Sequence, residues 1–230
     1  MNMLSLNVPT QEFPVGLFLA RSVKRRSEVY RLRHTAFVNS GWIEPRASAE
    51  LTDPFDDLET TVIIQAIADE RTVGTARLTV SPSSAIALSM PCQLAFPSEL
   101  ANVKSRYRGP LVEFGRIAVD PASWSRSFRT TLYGSLVRTA LLLAEAAGTE
   151  YTLAAVHSRL SMFYRGMFGF IRLADTRSYG DINEPTVLLG QRCQALLDRS
   201  AARSKFFHVS RDDINQAREV LLRSHPLLLT

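Results

Sequence analysis

One run near the middle of the chain, Val112-Glu113-Phe114-Gly115-Arg116-Ile117-Ala118-Val119-Asp120, constrains the fold more than any other. Its β-branched and apolar residues predict a strand at the centre of a sheet. A strand buried on both faces does not carry charges unless they are paired or used, yet this one holds Glu113 and Arg116. In a regular strand, residues three apart point to opposite faces. Gly115 between them offers a bulge that brings both toward one cleft. The residues leave two readings open. One is a carboxylate at a strand break, placed for proton transfer from a substrate. The other is a Glu–Arg pair that braces the strand.

The flanking sequence predicts a mixed sheet with helices on its faces, an α/β (α+β) layer architecture. Ser22 to Val38 reads as a helix with Tyr30, Arg33 and Phe37 on one face, ended by Gly41. A loop rich in Pro, Asp and Ser runs to Leu58. Thr61–Ile67 and Thr72–Val80 then form a predicted hairpin about Ala68-Asp69-Glu70-Arg71. Ser81 to Pro110 reads as irregular with a short helix, a length of loop that is usually functional. After the central strand, Leu132, Leu136, Ala140, Leu143 and Ala147 mark a long helix stopped by Gly148. Tyr151–Val156 is a predicted strand and Ser158–Phe168 a helix. Further strands are expected at Ile171–Ala174 and Thr186–Leu189. The organisation is an N-terminal segment 1–21, a main domain 22–190 and a helical, charged extension 191–230, expected to be a peripheral appendage.

Composition removes several classes. The 230 residues contain no apolar run of the ~18 that a membrane span needs. Met1 to Arg21 has no basic patch followed by an apolar core, so no signal peptide is expected and a cytoplasmic location is. Cys92 and Cys193 are far apart and expected to be free thiols in a reducing compartment. His34, His157, His208 and His225 are scattered, and no metal is expected. The net charge of +5 suits an acidic carrier protein or peripheral contact with an anionic membrane surface. No nucleic-acid motif is present, and no nucleic-acid partner is expected.

The chain resembles the GNAT acyltransferases from about Ser22 to Gly190. The motifs that carry the resemblance are Leu32-Arg33-His34 with Phe37, Asp53-Pro54-Phe55-Asp56, Gly74-Thr75-Ala76-Arg77-Leu78, Glu113-Phe114-Gly115-Arg116 and Phe163-Tyr164-Arg165-Gly166-Met167-Phe168-Gly169-Phe170. Within that superfamily it is most similar to the N-acyl amino acid synthases of the long-chain acyl-tyrosine type, relatives of the acyl-homoserine-lactone synthases. The lactone synthases carry an Arg and a Phe four apart on the first helix, matched by Arg33 and Phe37. A Trp follows, matched one residue early by Trp42, then two Asp three apart, matched by Asp53 and Asp56. An Arg on the second hairpin strand is matched by Arg77, and the Glu and Arg of the fourth strand by Glu113 and Arg116. Val156-His157-Ser158-Arg159, the helix ending in Gly169-Phe170, and Asp181-Ile182-Asn183-Glu184-Pro185 resemble the acyl amino acid synthases rather than the lactone synthases.

The resemblance implies transfer of an acyl group from a thioester to an α-amine. Glu113 is then the base, acting through a water, and backbone N–H groups between Gly115 and Ala118 meet the oxyanion. Tyr164 stands where many GNAT enzymes place the acid for the leaving thiolate. Arg33, Asp53, Asp56, Arg77 and Arg116 form a polar cluster that either holds the amino acid or braces mobile loops, with Phe37 and Trp42 beside it. Leu153, Met162, Phe163 and Phe168 are expected to line a fatty-chain tunnel. GNAT enzymes that use coenzyme A usually place a glycine-rich turn before the long helix to cradle the pyrophosphate. Here Trp124 to Thr131 has no glycine, so Arg126 and Arg129 are expected to meet an acyl carrier protein or its phosphopantetheine. No permanently bound cofactor is expected, and acyl-CoA is the alternative donor. The competing readings are a lactone synthase using S-adenosylmethionine, an acyl-CoA-dependent N-acetyltransferase, and a catalytically silent module that binds an acyl ligand.

Overall fold

Alternation along the first hairpin divides the molecule into two layers. Val62, Ile64 and Ala66 belong to the largest core cluster, whereas the intervening Ile63 packs with Val29 and Tyr30, the two-residue period of a strand covered on both faces. The computed structural model describes residues 3–4, 14–82, 90–121, 124–180 and 182–229. Asp181 and much of the predicted N-terminal segment therefore lie outside the described residues, as does part of the irregular stretch after Ser81.

Among the described residues the elements are β1 (Met3–Leu4), β2 (Gly16–Leu19), α1 (Val23–Asn39), β3 (Thr61–Ala68), β4 (Arg71–Ser81), α2 (Pro97–Arg106), β5 (Leu111–Val119) and α3 (Arg126–Ala146). They continue as β6 (Tyr151–His157), α4 (Ser161–Phe168), β7 (Ile171–Arg172), β8 (Arg177–Tyr179), β9 (Ile182–Arg192), α5 (Cys193–Arg203) and α6 (Arg211–Ser224). The sheet runs β1-β2-β3-β4-β5-β6-β9-β7, with β8 also on β9. This is the mixed α/β architecture that the sequence predicts. β5 and β6 are the parallel pair, and α3 makes the long crossover such a pair requires. The Ser125 hydroxyl caps α3 by accepting the Phe128 N–H at 3.0 Å, and Gly148, at φ +69°, follows its C-terminus. One face of the sheet carries α3 with α4, α5 and α6, and the other carries α1 and α2.

Two departures from regular pairing shape the middle of the sheet. β5 and β6 pair only from Leu111–Tyr151 to Glu113–Leu153, and beyond that point they part. On its other side β5 pairs with β4, where Thr75 faces Ala118 and Arg77 faces Gly115. Ala76 is thus opposed by two residues, Arg116 and Ile117, which is a β-bulge. The predicted bulge exists, but Gly115 does not supply it. Arg116 takes the left-handed conformation at φ 51°, which is uncommon for a residue with a side chain. An ion pair with Asp53 at 2.8 Å holds it there.

The last forty residues are not a peripheral appendage. Cys193, Leu196 and Leu197 of α5, Phe207, and Ala217 and Leu221 of α6 lie in the same core cluster as α3. Arg138 of α3 donates to the His208 carbonyl at 2.9 Å and pairs with Asp213 at 3.3 Å. The charges that dominate the tail sequence occupy the outer faces of amphipathic helices whose apolar stripes are buried. Among the described residues, no helix is long and apolar enough to cross a membrane.

Candidate active site

A cavity of about 90 Å³ opens where β5 and β6 part, large enough for several waters. Because the sheet is split there, side chains from its two faces reach one space. Glu113 comes from the face that carries Cys92 and Tyr179, and Tyr164 from the face that carries α4. Among the described residues, β5 has no strand partner on its β6 side beyond Glu113, so the backbone polar groups of that edge look for partners in the opening.

Glu113 is 5% exposed and lines the cavity. Its Oε2 accepts the Cys92 backbone N–H at 2.6 Å and its Oε1 accepts the Tyr179 hydroxyl at 3.2 Å. Burial pushes its carboxyl above the ordinary value, against the opposing pull of the Cys92 amide and Arg77. A carboxylate shifted in this direction is better matched to proton transfer near neutral pH. No ion pair seals Glu113 among the described residues. Of the two readings left open by the sequence, the Glu–Arg brace fails, because Arg116 turns to Asp53 instead.

Tyr164 is buried, and its hydroxyl hydrogen-bonds that of Tyr133 from α3. Burial pushes Tyr133 up to about 12 and Tyr164 well above its ordinary value, so both phenols keep their protons. Their mutual hydrogen bond uses one O–H and leaves the second to serve the cavity. On the opposite wall Trp42 stacks on His157, with centroids 5.2 Å apart and 17° between planes, and stands edge-on to Phe37. The Trp42 carbonyl accepts the Asn183 N–H at 2.8 Å, which ties this wall to β9. His157 Nδ1 accepts the Arg159 N–H at 3.1 Å, so a neutral ring carries its proton on Nε2.

The arginine–aspartate cluster lies mostly behind this cavity. Arg33 Nη1 reaches Asp56 Oδ1 at 2.7 Å, and Arg77 Nη1 spans Asp56 Oδ1 at 3.1 Å and Asp53 Oδ1 at 2.6 Å. Arg116 donates from Nε and Nη2 to Asp53 Oδ2 at 3.2 and 2.8 Å. Asp53 and Asp56 also form a reciprocal cap on the turn Pro54–Asp57. Arg77 and Arg116 line the cavity, whereas Arg33, Asp53 and Asp56 do not. The side chains of those three are engaged with one another, with the two cavity arginines and with the cap. These contacts make up the bracing arrangement.

Burial pushes the Asp53 carboxyl up, but Arg77 and Arg116 outweigh it and hold it at about 2, against 3.8 ordinarily. A lowered carboxyl pKa contributes stability above the unfolded pKa and loses it as the pH falls through the folded one. The contribution, roughly 2 kcal/mol, is therefore complete above about pH 4 and lost toward about pH 2. Denaturant unfolding across that window is expected to show the gap between the wild type and Asp53→Asn closing as acid is added. A gap that does not depend on pH counts against the pairing.

A second, open cleft of about 910 Å³ adjoins the cavity and shares Phe37, Trp42, Ile117, Tyr133 and Leu160 with it. Arg126 and Arg129 lie along it at the start of α3, and Phe163, Met167 and Phe168 line it from α4. Two predicted tunnel residues are corrected. Leu153 is wholly buried in the core beneath α2, on the other face of the sheet, and Met162 is 82% exposed. The strand period turns the first away, and helix geometry points the second to solvent. Sequence reasoning did not single out Tyr133, Tyr179 or Cys92 as site residues, and it gave His157 no role.

A family model described as the N-acyl amino acid synthase FeeM matches residues 28–192. Among solved structures, that of FeeM, an N-acyl amino acid synthase from uncultured soil microbes, superposes with a TM-score of 0.70 at 17% identity. The alignment covers 84% of this chain and 98% of that one. BjaI, a CoA-dependent acyl-homoserine lactone synthase, aligns with a TM-score of 0.54 at 20% identity, covering 84% of this chain and 90% of its own. The acyl-homoserine lactone synthase LasI aligns with a TM-score of 0.58 at 15% identity, covering 78% and 90%. No curated protein matches the chain by sequence. At these identities the structural likeness speaks for the fold.

Proposed function

The chain belongs to the FeeM family of N-acyl amino acid synthases and is an N-acyltransferase, and from that premise we propose that it moves a long-chain acyl group from an acyl carrier protein to the α-amine of an amino acid. The observation that carries this reading is the meeting of Glu113 and Tyr164 in one cavity from opposite faces of the split sheet. An α-amine is mostly protonated at neutral pH and attacks only after losing a proton. Glu113 takes that proton through a water in the cavity. The nitrogen then forms its bond to the thioester carbon, and the negative charge that develops on oxygen is met by backbone N–H groups on the free edge of β5.

As the tetrahedral species collapses, the carbon–sulfur bond breaks and the thiolate leaves toward the Tyr164–Tyr133 pair. A thiol has an ordinary pKa of about 8.5, below that of Tyr133 at about 12. The free O–H of the pair therefore stabilises the thiolate as a hydrogen-bond donor. The nitrogen, cationic after attack, sheds a second proton as the amide forms, which ends on the sulfur, while the first leaves from Glu113 to solvent. Arg116, on the cavity wall, gives its Nε/Nη2 edge to Asp53, and its remaining Nη1/Nη2 edge suits the amino acid's carboxylate. Asp53, Asp56 and Arg33 keep it and Arg77 in place.

The carrier as donor is supported by the start of α3. Its first turns hold Arg126 and Arg129 beside the cleft and no glycine before Gly134, which suits a single phosphate and an acidic partner better than a pyrophosphate. The free thiols Cys92 and Cys193 fit a cytoplasmic setting. To test the reading, the purified chain is offered acyl carrier protein thioesters and acyl-CoA in parallel, with a mixture of amino acids. An N-acyl amino acid formed from the carrier thioester supports it. Product from CoA alone overturns the donor, and no product from either overturns the function. Arg126→Glu is expected to raise KM for the carrier substrate roughly tenfold, equivalent to about 1.4 kcal/mol, with kcat retained. A change in kcat without one in KM counts against this role.

A further inference from the structure

The family match ends at residue 192, yet the segment beyond it contributes to the donor cleft. Ser204, Phe206 and Phe207 line that cleft beside α3 and α4. The two rings are held by edge-on aromatic contacts. Phe207 meets Phe168 at 5.3 Å and 87°, and Phe206 meets Phe207 at 5.1 Å and 88°. Helix α3 leaves room for them at Gly134, where an added Cβ stands only 3.3 Å from Phe206 Cε1. Gly134 lies eight residues after Arg126, so the aromatic wall stands about 12 Å along α3 from the charged start of the cleft. Tyr133, next to Gly134 on α3, and Leu160 line both this cleft and the Glu113 cavity.

We infer that Phe206 and Phe207 form the end stop for the donor's acyl chain and so set the chain length that the enzyme accepts. This rests on the reading that the donor is an acyl thioester. A chain leaving the Glu113 cavity passes Phe163, Met167 and Phe168, which offer it continuous apolar cover. Each methylene that finds such cover gains affinity, and each that meets the rings does not. Phe207 is buried in the core cluster, whereas Phe206 is half-buried and packs against that cluster from outside. Phe206 can therefore be changed without emptying the core, and Gly134 can be changed in the opposite sense. Alanine at Gly134 improves helix propensity while adding bulk to the wall.

The test uses the purified full-length chain with acyl carrier protein loaded with saturated chains of increasing length, and with the matching CoA thioesters. Product length is read by mass spectrometry. Phe206→Ala is expected to move the preferred chain to longer donors, at about fourfold in kcat/KM for each methylene newly covered, the equivalent of about 0.8 kcal/mol. Gly134→Ala is expected to move it to shorter ones. If the wild type makes N-acyl amino acids and both variants keep its length profile, the end stop is wrong. If the wild type makes none from any donor, the acyltransfer reading beneath it is what fails.

Discussion

Glu113→Gln is expected to cut turnover by about 10²–10⁴-fold, the share a positioned base usually supplies, while the protein stays folded. The substitution keeps size and removes the charge. Burial already disfavours that charge in the native state, so a neutral side chain removes one cost. It adds another, because its amide N–H₂ faces one of the two donors, Cys92 N–H or Tyr179 O–H. A lost hydrogen bond of this kind is worth about 1 kcal/mol, so stability stays close to that of the wild type. The wild-type rate is also expected to fall with acid on a limb centred above the ordinary carboxylate value of 4.5, because the proton acceptor is filled there. Initial rates across pH, with thermal melts of both proteins, check this. A Gln variant that turns over like the wild type removes Glu113 from the mechanism.

The second large effect concerns stability. Asp56→Ala is expected to cost about 3–5 kcal/mol, the usual consequence of stripping the partner from buried cations. Arg33 is wholly buried, and among the described residues its Nε and Nη2 find no hydrogen-bond partner. Its Nη1 depends on Asp56, as does part of Arg77. Asp56 also accepts the Asp53 N–H at 3.1 Å, which closes the cap on Pro54–Asp57. At the 2–4 °C per kcal/mol usual for a chain of this size, the melting temperature falls by roughly 10 °C. Calorimetry or a circular-dichroism melt measures it. A loss under about 1 kcal/mol means the cluster behaves as an exposed network would.

The charged residues were legible because charge in an apolar run is an anomaly, and the run from Val112 to Asp120 announced both the central strand and Glu113. Their partners were less legible. Arg116 reads as a neighbour of Glu113, but the extra residue opposite Ala76 turns it to Asp53, and sequence spacing does not show which residue takes the left-handed turn. Tyr133 follows Leu132 on α3, one position off the apolar stripe, so a period-based reading passes over it. Tyr179 reaches Glu113 on a three-residue strand with irregular register, a contact across 66 positions. The tail hides its buried side in the same way, since Leu196, Ala217 and Leu221 are sparse among charges.

The bulge at Arg116 is held from behind by aspartates that do not line the cavity, and this separates two kinds of change that such a scaffold can undergo over evolutionary time. Cleft-lining residues such as Phe163, Met167 and Phe206 can drift and alter what is accepted, because none of them belongs to the clasp that holds the bulge. The clasp of Arg33, Asp53, Asp56, Arg77 and Arg116 has no such freedom, since losing one member strands another. New preferences are therefore easy to reach in this lineage, and a relocated reaction centre is not.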